Sequence, residues 1–332
     1  MNNSTLNKAK EAKLDEFYTQ LSDIENELKH YKEHFKGKTV LCNCDDPRVS
    51  NFFKYFALKF KSLGLKKLIC TCYKNQDIDL FSQNGSEQAI YFVYEGTPEI
   101  DHIPTADEIQ VKYLKGDGDF RSSECIELLK EADIVCTNPP FSLFREYIAQ
   151  LIRFNKKFLI IGNINAISYK EVFPLLKNNT IWLGYSFNVT MEFGLPEKYE
   201  RFDHIDENGV KIGVVPAIAW FTNLDVTLRH ENLILYKHYS EDEYTSYDNY
   251  DGIDVGKVAD IPMDYDGAMG VPLTFLGSYN PEQFEIIGYG KGELARSIGV
   301  KSNHRGRCDL AITKKDGTKT CPYGRILIRR KQ

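Results

Sequence analysis

The chain lacks the long apolar runs that membrane-spanning segments need, although 42% of its 332 residues are hydrophobic. Residues 1–13 are polar and rich in lysine, so they do not resemble the apolar core of a secretory signal peptide. The apolar content still supplies a core for one large domain or two smaller ones. We therefore expect a globular, cytoplasmic protein that does not use a membrane.

An excess of positive charge is also missing, because the formal net charge is −5. This argues against a protein that binds polyanions over its whole surface. The charge is uneven, however. Residues 239–266 carry nine acidic side chains and one lysine, whereas residues 288–332 carry twelve Lys or Arg and three acidic side chains. A basic segment on an acidic protein is typical of a localised phosphate contact, and a solvated basic tail is the alternative.

Standard zinc-ligand spacing is absent as well. Cys42 and Cys44 form one of two C-x-C pairs among the eight cysteines. Residues i and i+2 of a strand share one face of a sheet, where free cysteine packs as a small apolar side chain. His304, Cys308 and Cys321 do not match a zinc motif. We therefore predict that no metal is bound.

Short apolar runs alternate with helix-like stretches up to about residue 225, which predicts an α/β fold with a doubly wound, mostly parallel sheet. The predicted strands are Thr39–Cys44, Leu65–Tyr73, Val111–Leu114, Ile134–Thr137, Lys157–Gly162, Ile181–Gly184 and Ala217–Thr222. Helical patterns cover residues 48–62, 122–131, 142–154 and 168–177. Residues 74–109 form an insertion with a hairpin strand at Ile90–Tyr94.

Three segments follow from this pattern. Residues 1–36 form an amino-terminal arm that ends in an amphipathic helix over 20–36, with Thr19 as the candidate N-cap. Residues 37–225 form the α/β domain. Residues 226–332 form a smaller region of irregular sequence rich in aromatic residues, Gly and Asp, which closes with a strand at Arg325–Arg329.

Asn138-Pro139-Pro140-Phe141 directly follows the predicted strand Ile134–Thr137, at the carboxyl edge where open α/β sheets bind ligands. Two consecutive prolines fix the backbone and remove two N–H donors. This leaves carbonyl acceptors beside the Asn138 amide oxygen and the Phe141 ring, which suits a flat ring carrying an amino group. The alternative is a stiff turn that ends the strand, since Asn and Pro are common turn residues.

Two neighbouring strand ends also carry polar residues. The first is followed by a turn with Asp45 and Asp46 and then a helix start, which suits a cationic or hydroxyl-bearing ligand, although the acids could also cap the helix. No glycine-rich fingerprint is present there, which argues against a dinucleotide. The third strand is followed by Gly116–Phe120, where Asp119 supplies an acceptor and Phe120 an apolar wall. An ordinary Asp-Gly turn is the alternative.

These motifs together resemble those of S-adenosylmethionine-dependent adenine-N6 DNA methyltransferases. Asn138–Phe141 resembles the catalytic motif, Asp46-Pro47 the start of the cofactor motif, and Asp119-Phe120 the motif that binds the cofactor's adenine. Phe17-Tyr18-Thr19 resembles the amino-terminal motif that holds the methionine part of the cofactor. The motif order is that of the gamma arrangement.

The resemblance extends to the EcoRI-type modification methylases and covers most of the chain. The matching segments are Lys13–Glu27, Asn43–Phe56, Gly116–Ser123, Thr137–Tyr147, Met269–Phe275 and Tyr279–Phe284. Two departures stand out. Ser50 and Phe52 occupy the positions of the usual cofactor glycines, and the second strand ends at Cys70–Tyr73 without the acid that usually holds the ribose.

The resemblance implies a seven-stranded Rossmann-like methyltransferase sheet with a smaller carboxyl-terminal target-recognition region. The implied activity is methyl transfer from S-adenosylmethionine to N6 of an adenine flipped out of duplex DNA, without a metal. The implied catalytic residues are Asn138, Pro139, Pro140 and Phe141. The implied cofactor-binding residues are Phe17, Tyr18, Thr19, Asn43, Asp45, Asp46, Pro47, Asp117, Asp119, Phe120 and Asn138.

The expected partner is double-stranded DNA, held by basic residues of the carboxyl-terminal segment. These residues are Arg296, Lys301, Arg305, Arg307 and Arg325. A cognate restriction endonuclease acting on the same site is a candidate partner. Two other readings stay open: the same fold acting on RNA or a protein glutamine, and a DNA-binding regulator without catalysis. The long region after residue 225 favours duplex recognition.

Overall fold

The computed structural model describes residues 18–44, 50–72, 89–96, 109, 111–195 and 199–331. The chain divides into two compact units. The first unit comprises Met1–Ala166 and Gly184–Leu224, and the second comprises Ile167–Leu183 and Asp225–Gln332. In the part of the chain that is described, no helix combines the length and the apolar character needed to cross a membrane.

The strands are, in chain order, β1 Tyr18–Thr19, β2 Thr39–Asn43, β3 Lys67–Cys72, β4 Ile90–Tyr94, β5 Lys112–Tyr113, β6 Ile134–Thr137, β7 Lys157–Asn163, β8 Trp182–Leu183, β9 Glu192–Leu195, β10 His204–Ile205, β11 Lys211–Val214, β12 Ile218–Thr222, β13 Thr245–Ser246, β14 Ile253–Asp254, β15 Met269–Pro272, β16 Phe284–Tyr289, β17 Ile312–Thr313, β18 Lys319–Thr320 and β19 Arg325–Arg330. The α-helices are α1 Leu21–Leu28, α2 Lys32–Phe35, α3 Asn51–Leu58, α4 Phe60–Leu63, α5 Ser123–Glu131, α6 Phe144–Arg153, α7 Phe173–Lys177 and α8 Gly292–Arg296. Short 3-10 helices cover Lys29–Tyr31, Phe141–Leu143, Ile164–Ser168, Thr227–His230, Val258–Asp260 and Leu273–Ser278.

The central sheet of the first unit contains seven described strands in the order β5-β4-β3-β2-β6-β7-β12. The four central strands, β3, β2, β6 and β7, pair in parallel. The flanking strands β4, β5 and β12 pair antiparallel. The predicted α/β class is confirmed. The finer prediction of a seven-stranded, mostly parallel sheet is not confirmed, since the sheet is mixed. An apolar run in the sequence does not encode the direction of its strand.

The core of the first unit follows from strands that are apolar on both faces. Every residue of β2 and β6 is buried, as expected for parallel strands covered by helices on either side. Helix α6 buries Phe144, Tyr147, Ile148 and Leu151. Their spacing of three and four residues places them on one helix face. The same helix therefore covers the sheet beside the end of β6.

The amino-terminal helix differs from the sequence prediction. The predicted helix over 20–36 consists of α1, a 3-10 turn at Lys29–Tyr31 and α2. Gln20, and not Thr19, is the N-cap, and its side chain makes no capping hydrogen bond. Thr19 instead belongs to β1 and pairs with Phe193 of β9. The prediction of Thr19 as N-cap is therefore wrong, because its backbone takes part in a small sheet of order β1-β9-β11-β10.

The second unit is built on a five-stranded sheet of order β13-β14-β15-β19-β16. Its β19 corresponds to the strand predicted at Arg325–Arg329, and Ile326, Leu327 and Ile328 in it are fully buried. A two-stranded hairpin of β17 and β18 lies in the same unit. Leu327 belongs to an apolar cluster with Ala295 and Leu310. This cluster joins the sheet to helix α8 and to the segment that leads into the hairpin.

Candidate active site

The ends of two parallel neighbouring strands meet at one edge of the central sheet. Asn43 is the last residue of β2, and Thr137 is the last residue of β6. The Thr137 hydroxyl donates a hydrogen bond to the main-chain carbonyl of Asn43. Asn138 comes next in the chain and is only 8% exposed. The two strand ends are thereby tied together immediately before the candidate catalytic motif.

The backbone after Asn138 turns sharply into a helix. Pro139 is buried, whereas Pro140 and Phe141 are partly exposed. The 3-10 helix Phe141–Leu143 starts directly after Pro140, whose carbonyl accepts a hydrogen bond from the Leu143 N–H at 3.0 Å. The turn is therefore fixed by its own backbone as well as by the two proline rings. The phenyl ring of Phe141 is partly exposed and therefore presents a face on which a flat ligand can stack.

The buried side chain of Tyr147 contacts both Asn43 and Phe120. The Tyr147 hydroxyl donates a hydrogen bond to the Asn43 side-chain oxygen. Burial raises the pKa of Tyr147 well above its ordinary value, so the hydroxyl stays protonated and acts as a donor. The Phe120 ring packs edge-on against Tyr147 with centroids 5.1 Å apart. The Phe120 carbonyl accepts a hydrogen bond from Gln150 at 2.9 Å.

The structure thus brings Asn43, Phe120 and Asn138 to the same edge of the sheet. The sequence prediction did not include Tyr147. Its only signal was its place on the apolar face of a helix that follows the Asn138 motif. Its function as a link between two candidate cofactor residues becomes visible only when the helix is packed on the sheet.

Asp119 is engaged by a neighbouring arginine. Arg121 donates to Asp119 Oδ1 at 2.9 Å through Nε and to Oδ2 at 2.7 Å through a terminal nitrogen. These bonds hold the pKa of the Asp119 carboxyl below its ordinary value. Arg121 also contacts Glu146 at 2.6 Å. Asp119 is therefore an ionised acceptor held in a fixed orientation.

Asp117 has a local structural function. Its carboxylate accepts the Asp119 backbone N–H at 3.0 Å, a bond that closes a tight turn. Gly118 in this turn has a φ of +79°, a conformation that glycine adopts without strain. Gly118 thus serves the turn that presents Asp119 and Phe120.

Thr19 contributes a buried hydroxyl group. The residue is 4% exposed, and its Oγ1 has no hydrogen-bond partner within the described part of the chain. Its carbonyl accepts a hydrogen bond from the Asn51 side chain at 2.9 Å, which ties β1 to the first residue of α3. A buried polar atom without a partner is rare and costly. Such an atom fits a site that a polar ligand completes.

Two departures from the usual cofactor loop have structural explanations. Ser50 is the N-cap of α3, and its hydroxyl accepts the Phe53 backbone N–H at 3.4 Å. Phe52 is buried and packs edge-on against Trp220 with ring centroids 6.0 Å apart. Both residues therefore stabilise the start of the helix that follows β2. The predicted cofactor residues Phe17, Asp45, Asp46 and Pro47 lie outside the described residues.

Cys44 shows local backbone strain at the same edge. Its φ of 90° lies in the left-handed region, which residues other than glycine adopt only at a cost. It directly follows β2 and Asn43. Strain of this kind is concentrated at ligand-binding sites, where the surrounding structure enforces it. The sequence contained no signal for this feature.

Glu27 fixes the amino-terminal helix to the segment after residue 184. It is fully buried, and its carboxylate accepts the Tyr31 hydroxyl and the backbone N–H groups of Tyr185 and Ser186, each at 2.7 Å. The sequence prediction missed this residue, since a glutamate on an amphipathic helix usually faces solvent.

The described residues contain no group of three or more His, Cys, Asp or Glu that could hold a metal ion.

The sequence model of one protein family matches residues 5–331, and the family is described as "Adenine-specific methyltransferase EcoRI". The chain belongs to the EcoRI-type adenine-specific methyltransferases. The resemblance inferred from the motifs is therefore confirmed, and it extends over nearly the whole chain. No solved structure matches the sequence.

Relatives of this EcoRI-type methyltransferase have similar lengths. The Type II methyltransferase M.EcoRI of Escherichia coli is 52% identical over 336 residues, which cover 99% of this chain and 97% of the relative. The Type II methyltransferase M.MgeORF184P of Mycoplasma genitalium is 39% identical, with 98% of each chain covered. The Type II methyltransferase M.MpnI of Mycoplasma pneumoniae is 41% identical over 85% of this chain and 84% of the relative.

The basic residues predicted to contact DNA lie in the second unit and differ in their surroundings. Lys301, Arg305 and Arg307 are exposed and have no acidic partner among the described residues. Arg296 is also exposed but pairs with Glu293 at 3.1 Å. The first three therefore present charges that the fold does not neutralise.

Arg325 has a different environment from the other four. Its side chain is 14% exposed and contacts Asp254, itself 13% exposed, at 2.8 Å. The Tyr247 hydroxyl donates to the same carboxylate at 2.8 Å. Arg325 is therefore already paired inside the unit, and its contact with DNA stays a prediction. The ion pair joins β19 to β14.

Proposed function

We propose that this EcoRI-type methyltransferase transfers a methyl group from S-adenosylmethionine to N6 of an adenine in duplex DNA. The observation that carries the proposal is the position of Asn138. It is buried directly after β6, where the ends of β2 and β6 are tied together and Tyr147 links Asn43 to Phe120. Ligands of open α/β sheets bind at this edge.

The proposed chemistry places acceptors around a weakly nucleophilic amine. The lone pair of the adenine amine is delocalised into the ring, so the site must accept the amine's hydrogens and localise that pair. We assign this to the Asn138 side-chain oxygen and the Pro139 carbonyl, with Phe141 stacked on the base. The stiffness of the Pro139-Pro140 backbone keeps these acceptors oriented, so little reorganisation is needed during the reaction.

When bound, S-adenosylmethionine would supply an activated methyl group on a sulfonium: the methyl–sulfur bond would break as the bond to N6 forms, N6 would lose one proton, and S-adenosylhomocysteine would be the product. We propose that the Thr19 hydroxyl and the Phe120 ring help to hold it, because the former lacks a protein partner and the latter is braced by Tyr147. Asp119, which precedes Phe120 in the chain, supplies an ionised acceptor. The remaining proposed cofactor residues are Phe17, Tyr18, Asn43, Asp45, Asp46, Pro47, Asp117 and Asn138. The proposed reaction uses no metal.

An adenine stacked in a duplex cannot reach a buried asparagine, so we propose that the base is flipped out. Residues 226–332 and the segment 185–213, which includes β9 and β10, would recognise the target. Glu27 holds the start of that segment through the backbone of Tyr185 and Ser186. The relatives are named Type II methyltransferases. We therefore infer a restriction–modification system, with an endonuclease of the same specificity as partner.

Incubation with tritium-labelled S-adenosylmethionine tests this proposal. Unmethylated duplex DNA, RNA and total protein are offered separately, and the product is digested and analysed for N6-methyladenine. We expect label in DNA alone. Label in RNA or protein would contradict the proposed substrate. Protection of the methylated DNA from a panel of restriction enzymes would then identify the target sequence.

A further inference from the structure

The second unit contains a very tight turn between Asn303 and Arg307. The Asn303 N–H donates to the Arg307 carbonyl at 2.8 Å, and the Gly306 N–H donates to the Asn303 carbonyl at 2.9 Å. Gly306 has a φ of +69°, as expected where a three-residue loop closes a narrow hairpin. His304 and Arg305 occupy its tip and are exposed. We call residues 303–307 the Asn303 turn.

The Asn303 side chain fixes this turn from inside. Its oxygen accepts the backbone N–H groups of Arg305 at 2.8 Å and of Arg307 at 3.2 Å. Its nitrogen donates to the Asp309 carbonyl at 3.0 Å and lies 3.3 Å from the sulfur of Cys321. One side chain therefore closes the turn and anchors it to the segment that precedes the β17–β18 hairpin and to the segment that follows it.

A second asparagine fixes the chain that leads into the turn. Asn249 is 6% exposed, and its side-chain nitrogen donates to the carbonyls of Lys301 at 2.7 Å and Asp309 at 2.9 Å. Its side-chain oxygen accepts the Ala311 N–H at 3.0 Å. Both sides of the Asn303 turn are thus bound to a buried polar group. Its backbone is held in one conformation.

The charges on this rigid element are not neutralised by the fold. Lys301, Arg305 and Arg307 have no ion pair among the described residues, although other exposed arginines of the unit do. Arg329, for example, pairs with Glu285 at 3.1 Å. A guanidinium on a fixed backbone loses less conformational entropy on binding than one on a mobile loop. The Asn303 turn therefore carries positive side chains that have no ion pair among the described residues, on a backbone that is already fixed.

We propose that the Asn303 turn is a sequence-reading element, in which Arg305 at the tip contacts the edge of a guanine while Lys301 and Arg307 contact flanking phosphates. Arginine binds guanine through two parallel hydrogen bonds in the major groove. This contact requires that the two N–H donors of the guanidinium group are well positioned. Only two exposed residues form the tip, and the major groove is about 12 Å wide, enough for a helix or a two-stranded ribbon. Asn303 is the positioning residue. The proposal rests on the proposed function and specifies where DNA is read.

Arg305→Ala and Arg305→Lys test the contact to the base. Both are compared with wild type in methyl transfer to unmethylated genomic DNA, and methylated motifs are mapped by single-molecule sequencing. We expect R305A to lower kcat/KM for DNA roughly 10- to 100-fold, with S-adenosylmethionine binding by calorimetry unchanged. R305K keeps the positive charge but loses the paired N–H donors of the guanidinium group. We therefore expect it to methylate sites that differ from the wild-type motif at one base pair.

Arg329→Ala is the matched control, since it removes an exposed arginine that already has a partner. We expect wild-type rate and motif from it. A wild-type rate and motif for R305A would overturn the inference and leave the proposed function intact. An unchanged motif for R305K would overturn base reading by Arg305. Absence of label in DNA with the wild-type enzyme would instead overturn the proposed function itself.

Asn303→Ala tests the position of Arg305 separately from its charge, because the substitution loosens the turn but removes no positively charged side chain. We expect the dependence of DNA binding on salt concentration to keep its slope, while the methylated motif becomes less strictly defined. A structural effect alone would lower the yield of active enzyme without changing the motif. An unaltered motif would therefore overturn the positioning function of Asn303.

Discussion

The Tyr147 hydroxyl donates a hydrogen bond to the side-chain oxygen of Asn43, which joins helix α6 to the carboxyl end of strand β2. Tyr147 also supports the Phe120 ring. One buried side chain thus links the segment after β2 to the segment after β5. The two segments carry candidate cofactor residues, and they are held beside Asn138 by the same helix that follows the Asn138 motif.

Tyr147→Phe is expected to destabilise the enzyme and weaken cofactor binding. The substitution keeps the ring but leaves the buried Asn43 oxygen without its donor, which costs about 1–3 kcal/mol. Denaturant unfolding and calorimetry with S-adenosylmethionine measure the two effects. Tyr113→Phe is the control, since Tyr113 is an exposed tyrosine in the same unit. An unfolding free energy for Y147F equal to that of the control would refute the link.

Asn138→Ala is expected to abolish methyl transfer and leave cofactor binding nearly intact. The side chain lies directly after β6 and supplies the acceptor that the amine needs in the proposed chemistry. Initial rates with tritiated S-adenosylmethionine and calorimetry separate the two properties. Asn138→Asp keeps an acceptor oxygen and so is expected to retain more activity than Asn138→Ala. Substantial DNA methylation by N138A would exclude Asn138 as the catalytic residue.

Thr19→Val is expected to weaken cofactor binding without lowering stability. The Thr19 hydroxyl has no partner among the described residues, so a valine of the same shape removes a buried polar group that the protein alone does not satisfy. Loss of one hydrogen bond to a ligand corresponds to roughly a 2- to 10-fold rise in Kd. Thermal unfolding without cofactor and calorimetry with it provide the measurements.

Thr222→Val is the matched control for this prediction. The Thr222 hydroxyl is also buried, but it donates to the Phe158 carbonyl at 2.7 Å and accepts the Leu224 N–H at 3.0 Å. We therefore expect T222V to lower stability and leave the Kd for cofactor unchanged, the opposite pattern to T19V. If both variants behaved alike, the Thr19 hydroxyl would have no particular relation to the cofactor.

The strand end that carries the candidate site was predictable because its signals are local. The apolar run Ile134–Thr137 followed by Asn138 and two prolines specifies a strand and its end within a few residues. The sequence does not specify which distant residues become neighbours. The bond from Tyr147 to Asn43 spans 104 positions, and the ion pair from Arg325 to Asp254 spans 71. Such contacts depend on how the helices pack and how the strands are ordered.

The wrong N-cap prediction has the same origin. Thr19 is a good N-cap by residue type, but pairing with Phe193 places it in a strand. Here a tertiary contact with a residue far away in the sequence overrides a local preference. The ion pair of Arg325 with Asp254 is a second contact of this kind that its basic sequence context did not indicate.

Arg325→Ala is expected to destabilise the second unit by roughly 3 kcal/mol, because it leaves the largely buried Asp254 carboxylate without its cation. Arg329→Ala removes a solvent-exposed pair with Glu285 and is expected to cost less than about 1 kcal/mol. Denaturant unfolding followed by far-UV circular dichroism gives both values. Equal effects of the two variants would show that Arg325 does not hold β19 to β14.

The imidazole of His230 is expected to make stability fall as the pH rises through neutrality. Hydrogen bonds to Asp225 at 2.8 Å and Glu282 at 3.3 Å raise the pKa of His230 above its ordinary value. The charged form is therefore favoured in the folded state. Its stabilisation is fully present below the unfolded pKa, about 6.5, and is lost as pH rises through the higher folded pKa. Because the ring is 41% exposed, the effect is small, under about 1 kcal/mol. Thermal unfolding of wild type and His230→Gln from pH 5.5 to 8.5 measures it. We expect the two curves to differ most at the acidic end and to converge at the alkaline end, and a constant difference across the range would contradict the assignment.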